Sequence, residues 1–161
     1  MSDIRIEVFS GSYSNDDAYN RVLGYIGQKT YLGGYGFSCN SHSTIIKQFQ
    51  LSEQYSHYKN PQKIWHFIIT FSEPWKHYDL LCMGVHVSAV FKDHYQILFG
   101  LDTIGQNPHL HFGVNAFSYR PDDPILNHTR MSQYMLGIQE YLKRNYPYHT
   151  VTLQFQRKGG G

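Results

Sequence analysis

Between residues 109 and 116 the chain alternates strictly: Leu110, Phe112, Val114 and Ala116 are apolar, while His109, His111, Gly113 and Asn115 are not. Successive side chains of a strand point to opposite faces, so one face of this strand must meet a core and the other carries two imidazoles. The segment before it divides the same way. Tyr95, Ile97, Phe99 and Leu101 form an apolar set and leave Gln96, Leu98, Gly100 and Asp102 on the opposite side. Gly105 to Pro108 then turn the chain, and a hairpin sets Asp102 beside His109 and His111. One carboxylate and two imidazoles make a three-ligand site with positions left for substrate and water. The plainer reading of the same pattern is two polar histidines on a solvated face. Gly100 and Gly113 fall on the histidine face, where a missing side chain would let a bulky ligand approach the backbone.

The remaining elements are read around this hairpin. Ile4 to Phe9 alternate as a first strand. Asn15, Asp16 and Asp17 offer caps for a helix running to about Tyr25, and Gly27 to Cys39, rich in Gly and Tyr, reads as loop. Ser43 or Thr44 can cap a second helix through about Tyr58, broken by Asn60-Pro61. Ile64 to Phe71 reads as a strand, and Ser72 and Pro74 open a long helix with Leu80, Gly84, Val87 and Phe91 at helical spacing. Met131, Tyr134, Met135, Ile138, Tyr141 and Leu142 trace a last amphipathic helix, followed by a strand over Val151 to Gln156. The order predicts an α+β sandwich with a central antiparallel sheet of about five strands and helices packed on it. Residues 1–157 read as one domain and 158–161 as a linker stub.

Composition permits much and excludes some. A formal charge of +2 does not suit a nucleic-acid binder held by electrostatics alone. Ten histidines and fourteen tyrosines offer metal ligands and stacking surfaces, though both also serve in ordinary cores. Cys39 and Cys82 have no metal or redox spacing and read as free thiols. No apolar run reaches the length of a membrane span, and the N-terminus lacks the apolar stretch of a signal peptide, so a cytoplasmic location without membrane partners is expected.

His109-Leu-His111-Phe-Gly-Val-Asn115 resembles the histidine motif of the plasmid-mobilisation relaxases, the HUH endonucleases of conjugation. Trp65-His66-Phe67-Ile68-Ile69-Thr70-Phe71-Ser72-Glu73-Pro74 is similar to that family's central strand. Ser43 to Tyr58 resembles the helix before it. Leu23-Gly24-Tyr25-Ile26-Gly27-Gln28-Lys29 resembles the segment in which the family's nucleophilic tyrosine precedes an isoleucine. The matches run in the family's order over residues 20 to 120. The family usually has a third histidine seven residues before the pair, and this chain has Asp102 there, a competent ligand for Mg²⁺ or Mn²⁺.

The resemblance implies a metal-dependent DNA relaxase that nicks a transfer origin and keeps a 5′-phosphotyrosine. It implies Tyr25 as nucleophile, with Tyr31, Tyr35 and Tyr19 as rivals. It implies Asp102, His109 and His111 as metal ligands. His66 shares the active face, where as a catalytic residue it orients the phosphate or a metal ligand, or else is a hydrogen-bonded structural histidine, and Asn115 bonds either a ligand or a loop. The implied partners are single-stranded DNA, accessory relaxosome proteins and a coupling protein. Lys29, Arg120, Arg130, Lys143 and Arg144 are the candidate phosphate contacts, and Tyr31, Tyr35 and Tyr119 the candidate stacking platforms. Two other classes share many of these residues: an HUH replication initiator or transposase, and a non-catalytic module that binds single strands through aromatics.

Overall fold

The structure is a computed structural model that describes residues 2–10, 13, 15, 17–38, 41–59, 62–105 and 107–157. Asp16, Cys39, Gln106, Asn60-Pro61 and the tail from Lys158 lie outside the described residues. The strands are β1 (Ser2–Ser10), β2 (Tyr31–Tyr35), β3 (Ile64–Phe71), β4 (Ile97–Asp102), β5 (His109–Asn115) and β6 (His149–Arg157). The helices are α1 (Ala18–Ile26), α2 (His42–Tyr55), α3 (His77–Ala89) and α4 (His128–Asn145). One six-stranded sheet runs in the order β2-β4-β5-β3-β1-β6. Every pairing is antiparallel except β1 with β6, which is parallel.

Alternation along the strands builds two unequal cores. On one face, Ile4, Ile6, Val8, Phe67, Ile69, Phe99, Leu110, Phe112 and Val114 pack against Leu80, Met83 and Val87 of α3 and Met131, Met135, Ile138 and Leu142 of α4. Rings add to this core, with Phe67 and Phe112 stacked at 4.4 Å. On the other face, Ile64 and Leu98 meet Tyr19, Val22, Leu23 and Ile26 of α1 and Ile45 and Phe49 of α2. This second core is small because α1 has only nine residues, a rod of about 13 Å at 1.5 Å per residue. It covers part of the histidine face and stops. Beyond it, on β1 and β6, Arg5, Glu7, Thr152 and Gln154 stay exposed or half-buried.

The α+β sandwich stands as expected, with six strands in place of about five. The additional strand is β2, inside the stretch that reads as loop. Its glycines conceal it: Gly33 passes so close to the Phe99 ring that a Cβ there would lie 2.6 Å away. Gly34, at φ +152°, would bring a Cβ within 2.0 Å of the Ile97 carbonyl oxygen. Residues without a side chain weaken the strand signal while permitting this close pairing.

Helix starts also differ from expectation. Ser72 does not cap α3, which begins at His77; its Oγ accepts the Asp3 N–H at 2.7 Å and ties β1 to the end of β3. Ser41, not Ser43 or Thr44, caps α2 by accepting the Thr44 N–H. That helix ends at Tyr55, short of Tyr58. Asp17 is the N-cap position of α1 but makes no side-chain capping bond; Asn15 instead accepts the Asp17 N–H at 3.1 Å. Cys82 is a free thiol. Among the described residues, no helix is long and apolar enough to cross a membrane.

Candidate active site

The hairpin of β4 and β5 forms in the register its alternation predicts. Asp102 pairs with His109, Gly100 with His111 and Leu98 with Gly113. Gly105, at φ +98°, supplies the turn between them. On the other side of β5, Ile68 of β3 stands opposite His111, and His66 stands opposite Gly113. Opposed residues share a face, so Asp102, His109, His111 and His66 all lie on the side that carries α1.

The two glycines of this face do not leave room for a ligand, contrary to expectation. They admit helix α1. A Cβ on Gly113 would lie 3.1 to 3.4 Å from Ile26, Val22 and Leu23. A Cβ on Gly100 would lie 2.9 Å from the Ile26 carbonyl oxygen and 2.9 Å from the Lys29 Cβ. The last turn of α1 and the residues after it therefore rest directly on the hairpin, and Tyr25 is carried in with them.

Tyr25 is 46% exposed, enough for its ring to be reached from solvent. Its ring meets His111 edge-on at 5.2 Å and His66 at 6.3 Å. The two imidazoles are themselves stacked, with His111 Nδ1 3.5 Å from His66 Nε2. His66 and His111 are buried, whereas His109 is half-buried further along β5, its ring 6.2 Å from that of His111. The other ring nitrogen of His66, Nδ1, stands 3.4 Å from the Tyr13 hydroxyl. Tyr13 is a residue that sequence reasoning missed. It lies between β1 and α1, and only the fold brings it to β3.

Lys29 completes the group. Its ammonium lies 3.9 Å from the centre of the Tyr25 ring and 3.2 Å from Asp102 Oδ2. Asp102 Oδ1 accepts the Ile104 N–H at 3.0 Å. Burial alone would raise the Asp102 carboxyl, but the Ile104 N–H and the Lys29 ammonium together hold it below the usual carboxylate range. Burial alone would lower the Lys29 ammonium, but its hydrogen bonds to Tyr25 and Asp102 hold it above the usual lysine range. Both side chains are largely covered, at 12% and 18% exposure. A depressed carboxyl contributes stability above its unfolded value, and that contribution is lost as pH falls through its folded value. Asp102→Asn is therefore expected to lower stability by about 1.5–3 kcal/mol at neutral pH, the scale of a charge-assisted hydrogen bond. Chemical denaturation should show that gap closing as pH falls below about 4.

The metal expectation meets this arrangement directly. The register sets Asp102, His109 and His111 as neighbours, and an imidazole–carboxylate set suits a divalent transition ion. Among the described residues, however, no three His, Cys, Asp or Glu side chains stand close enough to hold an ion as arranged. The Asp102 carboxylate is turned to Lys29 instead. A shared ion requires that pair to open.

The rival tyrosines lie elsewhere. Tyr31 and Tyr35 pair with Leu101 and Ile97, so they occupy the opposite face of the sheet. There Tyr31 meets His77 of α3 and Tyr35 packs on the large core. Tyr19 is buried, and its hydroxyl donates to Glu53 at 3.0 Å. Burial and the Glu53 charge push that phenol far up.

Arg120 and Asn115 are not brought to the site either. Arg120 lies past the far end of β5 from His109, with its guanidinium 5.7 Å from the Tyr119 ring. Arg130, Lys143 and Arg144 are on α4, behind the sheet. Asn115 is fully buried between α2 and the sheet. It donates to the Phe49 carbonyl and Gln96 Oε1, each at 2.9 Å, and accepts the Phe117 N–H at 3.1 Å. Its role is to fasten α2. Asn115→Ala should cost about 2–4 kcal/mol, because several buried partners lose their bonds at once. Thermal or urea unfolding measures this.

The groove beside His109 is the accessible continuation of the site. A cavity of about 330 Å³ is lined by Arg5, Thr70, Phe71, Ser72, Asn107 and His109. It opens toward the polar half of the face that α1 leaves uncovered. Comparison of the chain with known protein families, curated proteins and solved structures found no match, so the case for its function rests on this geometry.

Proposed function

We propose that this chain nicks single-stranded DNA by tyrosine transesterification at a transfer origin, as the mobilisation relaxases do. One observation carries the reading: the half-exposed phenol of Tyr25 stands at the edge of a buried histidine pair, beneath an ammonium. A core tyrosine would be enclosed, and a surface tyrosine would have no such neighbours. A phenol attacks poorly at neutral pH and needs a nearby base or cation, and both are present here.

Tyr25 Oη would bond to phosphorus as the bond from phosphorus to the 3′ oxygen breaks. The phenolic proton would pass to the stacked His66–His111 pair that the Tyr25 ring abuts, and the leaving 3′ oxygen would take a proton from water. The product is a 5′-phosphotyrosine and a free 3′ hydroxyl, with the bond energy kept for rejoining. Tyr13 holds the second nitrogen of His66 and so keeps its ring in place. Asp102, His109 and His111 would hold the divalent ion, with Mn²⁺ accepted more readily than Mg²⁺ at a mixed nitrogen and oxygen set. When bound, the ion would supply charge stabilisation at the scissile phosphate. Arg5 and Asn107 line the groove into which a strand crossing His109 would pass.

The test is a labelled single strand incubated with the protein and Mn²⁺, then run on a denaturing gel. A covalent adduct is expected, lost with a chelator and absent on blunt duplex. With so small a net charge, affinity should fall only shallowly with salt. Equal binding to duplex and single strand, with no adduct on any transfer-origin strand, would overturn the reading. An adduct confined to replication-origin strands would assign the same chemistry to an initiator.

A further inference from the structure

Helices α3 and α4 both pack on the large core, on the side of the sheet away from α1 and Tyr25. A cavity of about 530 Å³ runs between them. His86 Nδ1 of α3 and the Tyr141 hydroxyl of α4, 3.0 Å apart, tie one helix to the other there. Tyr134 is held in place by Phe91, ring to ring at 4.7 Å, and Val90 stays 43% exposed beside it. Gly137 lies between the two tyrosines on α4, and nothing in the chain stands within 4 Å of where its Cβ would be. A glycine inside a helix costs stability against alanine. Gly84 of α3 is required by the Phe99 ring, 2.5 Å from its Cβ position. Gly137 has no such neighbour and no positive φ, so neither packing nor backbone within the chain accounts for it. Its effect is an open seat midway along the groove. Arg130 and Arg144 line the groove to either side, fourteen residues apart on α4, or about 21 Å of helix at 1.5 Å per residue. Lys143 pairs with Glu140, whereas neither arginine makes an ion pair among the described residues. No Asp or Glu lines the groove.

We propose that the groove between α3 and α4 is the docking site for an acidic amphipathic helix of a partner protein, with an apolar side chain seated over Gly137 and carboxylates meeting Arg130 and Arg144. It stands independently of the nicking reading. Two guanidiniums about 21 Å apart cannot share one small anion, so the occupant is a chain segment. A helix laid along α4 spans the same distance in about four turns. Its apolar stripe covers Val90, Tyr134 and Tyr141, and its acidic residues near either end neutralise the two arginines. A single-stranded nucleic acid fits less well. It carries a charge at every nucleotide, while the lining between the two guanidiniums is mostly apolar and offers only His86 as a further basic group. Because the groove lies across the sheet from Tyr25, a partner seated in it leaves the face that carries the phenol open.

The test uses fluorescein-labelled, alanine-rich helical peptides of about 18 residues, with Glu in the first and last turns and Leu, Phe or Trp at the centre. Fluorescence anisotropy measures their binding to the whole chain. At least one should bind, more weakly as salt rises, and a scrambled peptide or one with Lys in place of Glu should not. Arg130→Glu and Arg144→Glu should each weaken binding about tenfold or more, because a carboxylate then faces a carboxylate. Gly137→Phe fills the central seat and should weaken it about as much. That variant should keep its unfolding temperature, since its Cβ position is open, and Gly137→Ala should raise it. Gly137→Leu replaces the phenylalanine variant if the latter does not fold. Equal binding of the scrambled or lysine peptide overturns the proposal, as does binding indifferent to all three substitutions. So does the lack of any peptide binding below about 1 mM. A single-stranded oligonucleotide whose binding is lost in Arg130→Glu and Arg144→Glu would overturn it in favour of a nucleic-acid face. A concentration-dependent dimer abolished by Gly137→Phe would overturn it in favour of a second copy of this chain.

Discussion

Tyr25→Phe should abolish the covalent protein–DNA adduct while leaving the fold and strand binding intact. The substitution removes one oxygen from a ring that is 46% exposed, so no core packing is lost. The edge-on contact to His111 and the ammonium above the ring survive, and only the hydrogen bond between the Tyr25 hydroxyl and Lys29 is lost. Unfolding temperature should move by no more than about a degree or two, as expected for a substitution at a half-exposed site. Nicking should fall by roughly 10⁴ or more, the scale of deleting a nucleophile. The matched substitutions Tyr31→Phe and Tyr19→Phe should leave the adduct in place. Tyr31 stands on the far face of the sheet, and the Tyr19 hydroxyl is committed to Glu53 inside the small core. A gel on which Tyr25→Phe still carries label, while Tyr31→Phe does not, would move the nucleophile and refute the placement of α1 as the carrier.

Gly100→Val should also slow nicking strongly, although it touches neither the phenol nor an imidazole. The new Cβ would lie 2.9 Å from the Ile26 carbonyl oxygen. That neighbour is backbone and cannot rotate away. The end of α1 must lift, and Tyr25 and Lys29 lift with it. A displacement of about 1 Å at a reacting group costs on the order of a hundredfold in rate. Overpacking at the helix–sheet contact adds about 1–3 kcal/mol of lost stability. Gly105→Val is the control for side-chain bulk: nothing lies within 4 Å of its Cβ position, so any cost there comes from its φ of +98° in the turn. Adduct rates and urea midpoints for the two variants would separate the effects. Full nicking activity in a folded Gly100→Val protein would show that α1 does not position the nucleophile.

Much of this site was legible along the chain. Alternation in residues 95–102 and 109–116 determined two strands, their facing and their register, because a strand that buries one side chain must expose the next. That placed Asp102, His109 and His111 on one face before any tertiary contact was known. The apolar run around His66 did the same for β3. The helical spacing of Val22 and Ile26 marked the buried stripe of α1, and its opposite edge carries Tyr25.

What alternation cannot state is which partner covers a face. Gly100 and Gly113 signalled a close approach, but only the tertiary structure decided that α1, and not a ligand, makes it. The strand β2 stayed hidden because Gly33 and Gly34 have little strand propensity of their own and form one only against Phe99 and Ile97. Its pairing then carried Tyr31 and Tyr35 to the face away from His109 and His111. Asn115 shares the histidine strand and the histidine face, yet α2 covers that end of it and α1 stops short of the other. The Lys29–Asp102 pair joins residues far apart in the chain, and so does the contact of Tyr13 with His66. Local sequence pattern determines direction and facing residue by residue. Contacts between distant segments follow from how the elements pack, and at this site it is those contacts that set the charge around Tyr25.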